Sequence, residues 1–271
     1  MSLSDIIRPT LQPGPGLGPG TGGFQLDVRE GWRQGRGAFG GLVIGSLISA
    51  IEQSVGDPRR KVRSVTAEVP GPVEHGTVDI SVDLLRAGKN VSTLRAALRQ
   101  HGETRCHAVA VVAADRAGTA ADGWNDLTRP EAPPWSAVPA VATGAGWPEF
   151  AQHFEYRIVE GIPASRGPAR TVGWVRPRDP GPDRGGAYIA AMIDAWWPAA
   201  FVRFPAMRPM ATITFTLDIV GGTDGLDPGA PLLYRATAPV CTSGYCLETR
   251  ELWSEDGRLV ALNHQTFVVI Q

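Results

Sequence analysis

The sequence predicts an α+β fold made of two tandem units, each a long helix wrapped by an antiparallel sheet. Two observations carry this. The segment from Gly40 to Ala50 lines up with Gly185 to Ala195 at a constant shift of 145 positions, and strand patterns follow in the same order in both halves. Both helical segments are apolar on all sides rather than along one stripe, so something must cover them, and the strands are what remains. The shift grows to 148 between Ser64 and Thr212 and to 155 between Gly102 and Gly257, as extra loop residues in the second half would make it. The organisation expected is a flexible leader over 1–23, an N-terminal unit over 24–114, a linker over 115–150 and a C-terminal unit over 151–271.

In the first unit a helix is expected over Gly40 to Val55, then strands over 62–69, 78–85, 91–100 and 105–113. In the second, strands over 154–159 and 171–175 precede a helix over Gly186 to Ala200, and strands over 211–220, 232–239, 245–253 and 259–270 follow it. Turn chemistry separates them: His101-Gly102, Ser243-Gly244 and Asp256-Gly257 are hairpin signals, and so is Arg86 to Asn90. The Pro/Gly-rich run from Pro13 to Gly23 reads as mobile. Ala132 to Pro148 is uncharged but broken by prolines and glycines, which makes it a linker and not a membrane span.

Composition narrows the chemistry. With 26 basic and 27 acidic residues, no global field draws nucleic acid or anionic lipid. Cys106, Cys241 and Cys246 lack metal-ligand spacing and read as reduced thiols in a cytoplasmic protein. The five histidines show no paired metal spacing, and there is no phosphate-cradling loop or dinucleotide fingerprint, so no metal and no cofactor is expected.

Asp194 is the only charge in the run from Gly186 to Val202, and Ser49 stands at its equivalent in the first half. A carboxylate removed from water is costly unless paired or used, so a helix that buries one generally employs it. Thr212 lies in the row Thr212, Thr214, Thr216, opposite Ala211, Ile213, Phe215 and Leu217. Parity puts that row toward water, so Thr212 reaches a site only at the strand end or where a second subunit covers it. Gln265 shares a strand face with Asn263, the rival amide.

Several stretches together resemble the acyl-CoA thioesterase II family, with its double hotdog fold. In the first half these are Gly40-Gly41, Val62-Arg63-Ser64 and Leu85 to Thr93 running into Arg99-Gln100; in the second, Ile193-Asp194, Met210 to Ile213 and Gly257 to Ala261 followed by Gln265. The resemblance implies hydrolysis of acyl-CoA to free acid and CoA by a water bound and oriented by Asp194, Thr212 and Gln265. Those residue types suit the task, since a carboxylate takes a proton, a hydroxyl donates and accepts, and an amide fixes what remains. The helix-opening amides of Gly185 and Gly186 are the expected oxyanion binders, unless these glycines only permit close packing. Arg86, Lys89 and Asn90 are expected to meet the CoA phosphates, a solvated turn being the alternative. Ser49, Ser64 and Ala110 stand in place of the three catalytic residues in the first unit, which is then architectural. Two alternatives stay open, a non-catalytic acyl-CoA binding or assembly protein and another hotdog CoA-thioester enzyme such as a hydratase, although Asp194 has no histidine five residues on. A homodimer or larger homo-oligomer is expected, because uncharged sheet faces need cover.

Overall fold

The computed structural model describes residues 1–12, 21–116, 123–221, 223, 225–227 and 229–270. In the first half the elements are α1 (Leu3–Ile6), β1 (Thr10–Leu11), β2 (Gly22–Val28), β3 (Arg33–Gln34), β4 (Gly37–Ala38), α2 (Gly40–Val55), β5 (Lys61–Glu68), β6 (Gly76–Ala87), β7 (Val91–Gln100) and β8 (Glu103–Ala113). In the second they are β9 (Phe154–Glu160), β10 (Arg170–Pro177), α3 (Gly186–Asp194), α4 (Ala200–Arg203), β11 (Met210–Ile219), β12 (Leu232–Thr242), β13 (Tyr245–Trp253) and β14 (Leu259–Val269). Twelve of the strands form one sheet in the order β1-β2-β6-β7-β8-β5-β11-β14-β13-β12-β10-β9. Its halves repeat the same internal order and meet edge to edge, where β5 and β11 run antiparallel with Thr66 opposite Thr216.

The helices lie antiparallel inside this sheet, with Gly41 against Ala191 and Gly45 against Ala187. A Cβ on Gly41 would stand 2.9 Å from the Ala191 Cα, and one on Gly45 would stand 3.1 Å from the Ala187 carbonyl oxygen. Glycines one turn apart thus let the two backbones touch, and the first turn of each helix meets the last turn of the other. Leu47, Ile48, Ile51, Ile189, Ala190 and Ile193 are fully enclosed, which is why both segments read as apolar all round.

Some expectations need correction. The second helix stops at Asp194 instead of running to Ala200, because Pro198 has no N–H to continue the ladder; its carbonyl instead accepts from the Phe201 amide at 2.9 Å as a short new turn starts. The first residues of the expected leader are docked. Ser2 and Asp5 close a capping box on α1, Leu3, Ile6 and Ile7 are buried, and the Leu3 amide donates to the Asp179 carbonyl at 2.7 Å. The leader's central part, residues 13–20, lies outside the described residues. Cys241 and Cys246 are joined as a disulfide, not separate thiols, because the Ser243-Gly244 turn places them directly opposite on β12 and β13. Cys106 is the buried free thiol, and enclosure pushes its pKa up to about 12. In the linker, Val138 is buried and Pro133 accepts from Trp174 Nε1 at 3.0 Å, so residues 133–138 pack over the outer strands of the second half. No helix among the described residues is long and apolar enough to cross a membrane.

Candidate active site

Asp194 closes α3 on its buried side, with 6% of its surface exposed. Its Oδ1 accepts from Gln265 Nε2 at 2.9 Å and from Arg250 Nη1 at 2.9 Å. The same carboxylate accepts from the Gly41 amide in the first turn of α2. A Cβ on Gly40 would stand 2.7 Å from Asp194 Oδ2, so glycine there is what admits the carboxylate to the helix end. Burial pushes the Asp194 pKa above its ordinary value, while Arg250, Gln265 and the Gly41 amide pull the other way.

Gln265 and Thr212 join it. Thr212 Oγ1 donates to Gln265 Oε1 at 3.0 Å, and Gln265 Nε2 also donates to Asn263 Oδ1 at 3.0 Å. The amide is therefore clamped at both ends, and Asn263, itself tied to the Thr216 carbonyl at 2.7 Å, supports Gln265 rather than replacing it. Strand parity had directed Thr212 to water. A β-bulge between Thr212 and Thr214 reverses this: Thr212 pairs with Phe267 and Phe215 with Gln265, so one extra residue brings Thr212 onto the inner face that Phe215 and Leu217 share. Thr212 reaches the site within one chain.

Two other expectations part from this site. Gly185 and Gly186 open α3 at the end opposite Asp194, and the Gly186 amide donates to Glu52 Oε1 at 2.7 Å. The glycines beside Asp194 are Gly40 and Gly41, because in antiparallel helices a carboxylate at one C-terminal end meets the other helix's N-terminus. Arg86, Lys89 and Asn90 are exposed at the β6–β7 turn, which Arg60 holds through the Gly88 and Lys89 carbonyls. That turn lies near the C-terminal end of α2, a helix length of about 24 Å from Gly40.

The sequence models of the acyl-CoA thioesterase N-terminal and C-terminal domains match residues 28–114 and 125–269. The chain belongs to the acyl-CoA thioesterase family. Sequence comparison finds no match among curated proteins. Solved structures share the fold of this acyl-CoA thioesterase family member from end to end. A hot dog fold protein of unknown function from Alicyclobacillus acidocaldarius has a TM-score of 0.84 at 21% identity, covering 97% of this chain and 96% of its own. An acyl-CoA thioesterase II from Mycobacterium marinum has a TM-score of 0.75 at 20% identity, covering 99% and 98%.

Sequence reasoning missed the ionic support of this thioesterase-family site. Arg250 and Glu248 are fully buried on β13; Arg250 Nε donates to Glu248 Oε1 at 2.7 Å, and Glu248 Oε2 accepts from the Ala199 amide at 2.6 Å. Burial disfavours the Arg250 cation, but Tyr234, Glu248 and Asp194 around it hold its pKa above the ordinary arginine value. Burial likewise raises Glu248, against the pull of Arg250. The signal was strand parity, since Cys246, Glu248, Arg250 and Leu252 alternate onto the inner face of β13.

Proposed function

We propose that the protein hydrolyses acyl-CoA thioesters to free acid and CoA, with Asp194 as general base. What carries the reading is the chain Thr212–Gln265–Asp194, bonded at 3.0 and 2.9 Å and set against the first turn of α2. A water on Asp194 and Thr212 gives a proton to the carboxylate as its oxygen attacks the thioester carbonyl carbon. The resulting oxyanion is met by the Gly40 amide at the start of α2, which among the described residues donates to Gln34 Oε1 at 3.4 Å and can exchange that long bond for the oxyanion. Collapse of the tetrahedral intermediate breaks the C–S bond, and the leaving thiolate takes the proton back from Asp194. Family membership supports the substrate class. The buried first-half positions equivalent to Asp194 and Gln265 carry Ser49 and Ala110, which supports a single hydrolytic centre.

The test is thiol release over a series of acyl chain lengths. Asp194→Asn keeps the shape of the side chain and the acceptor oxygen toward Gln265 and Arg250 but cannot take the proton, so kcat falls about 10²-fold or more while the fold persists. Unchanged turnover by the folded variant rejects Asp194 as the base. Binding without turnover by the unaltered chain would favour the acyl-CoA binding alternative.

A further inference from the structure

A cavity of about 830 Å³ opens at the other end of the helix pair, where α3 begins and α2 ends. It is the internal counterpart of the Asp194 site. The bulge between Thr212 and Thr214 recurs between Val62 and Ser64, and the pairing of Phe215 with Gln265 recurs as Val65 with Ala110. Register thus puts Val62, and not Ser64 as the sequence shift suggested, in the place of Thr212. Ala110 stands for Gln265 and Ser49 for Asp194. The water-holding set is absent, yet a carboxylate is present: Glu52, one turn beyond Ser49, accepts from the Gly186 and Ala187 amides as Asp194 accepts from Gly41. A Cβ on Gly185 would lie 2.8 Å from Glu52 Oε1, just as one on Gly40 would lie 2.7 Å from Asp194.

The lining is amphiphilic. Val62, Phe24 and Ile219 give apolar wall, and among the described residues five lining Arg and Lys side chains face three carboxylates, with Arg63 paired to Asp115 and Arg60 to Asp57. Arg184 donates to backbone carbonyls of Gly181 and Asp183, and its buried Nε has no hydrogen-bond partner among the described residues. A ligand that is apolar at one end and polyanionic at the other fits such a surface. We propose that this cavity is a second ligand site, which holds a CoA thioester or free CoA without cleaving it. The choice of ligand rests on the activity proposed above; the site itself rests on the cavity and its relation to Asp194. Burial pushes the Glu52 pKa up to about 7, so the carboxyl carries its proton part of the time near neutrality and can then donate to a carbonyl oxygen. At the places that Thr212 and Gln265 take in the second half stand Val62 and Ala110, whose side chains cannot hold a water.

Calorimetric titration of the full chain with a non-hydrolysable acyl-CoA thioether, and separately with CoA, decides the matter. Two equivalents of the thioether bind per chain, and Arg184→Glu or Arg63→Glu weakens one of them about tenfold or more, with thermal melts showing both variants folded. CoA alone at the second equivalent assigns recognition to the phosphorylated half, and thioether alone to the acyl half; both support the site. A single equivalent, or two that neither variant alters, overturns it. Hydrolysis with one equivalent bound defeats this proposal alone. Two equivalents with one lost in the variants, but no thiol release from any substrate, defeats the proposed activity and leaves the site.

Discussion

Arg250 Nη1 lies 2.9 Å from Asp194 Oδ1, with both side chains buried. The pair is the middle of a chain that continues through Arg250 Nε to Glu248 and ends on the Ala199 amide. It ties β13 to the end of α3 and to the turn that follows. A buried ion pair adds little over a well-packed apolar replacement, but removal of one partner leaves the others unpaired in a low dielectric.

Two outcomes are therefore expected of Arg250→Met. Stability drops by about 3–5 kcal/mol, because Asp194 and Glu248 lose their counterion, and a companion Glu248→Leu recovers part of the loss. The second outcome concerns pH. Asp194 must be ionised to act, so activity falls as pH falls through its pKa, which lies above the ordinary aspartate value. Arg250 lowers that pKa; without it the acid limb of kcat/KM moves to higher pH. A limb that stays put would mean that Arg250 serves the fold and not the base.

Thr212→Val removes the hydroxyl at nearly constant volume. The variant loses the 3.0 Å bond to Gln265 Oε1, and kcat should fall about tenfold, the kinetic equivalent of roughly one hydrogen bond, with little change in KM. Thr214→Val, on the other side of the bulge, is the control and should leave kcat unaltered. Equal effects from both would show that the bulge does not select Thr212.

These residues also show where the sequence was readable. The repeat, the apolar helices and the hairpin glycines depend on local composition, so the two units could be read directly, and the solitary Asp194 drew attention for the same reason. The bulge did not announce itself. One inserted residue reverses parity over Met210 to Thr212, and no residue in Thr212-Ile213-Thr214 has a special backbone need that would mark it. The direction in which the helices run past each other was equally silent, which is why Gly185 and Gly186 were paired with a carboxylate at the far end of their own helix. Strand β2 carries a legible alternation, with Phe24, Leu26 and Val28 buried and alternating with Gln25 and Asp27, yet these residues are expected in the first unit without a strand, and the expected leader boundary at residue 23 cuts into β2.

Self-association is expected at the β12–β13 turn. Val240 pairs directly with Leu247, and both are exposed beside Tyr245, an apolar group at the tip of a hairpin whose shape is fixed by the Cys241–Cys246 disulfide. Light scattering at micromolar concentration should return at least twice the chain mass, and Val240→Lys with Leu247→Lys should return it to one chain. A monomeric unaltered protein would remove this patch as an interface.

Glu52 gives a pH signature that requires no substrate. Its pKa of about 7 in the folded protein stands above the ordinary 4.5, with burial the main cause and Asp183 adding to it against the Gly186 and Ala187 amides. Between those values the native state binds more protons than the unfolded chain, so the stability linked to Glu52 is complete below pH 4.5 and is lost as pH rises through about 7. Glutamine has no proton to lose. The melting temperature of Glu52→Gln relative to the unaltered protein should therefore rise between pH 5 and pH 8, and level off above that. A difference that is flat across the range, or that shrinks, would show that the Glu52 carboxylate is ionised and comfortable at neutral pH, with the α3 amides sufficient to offset its burial.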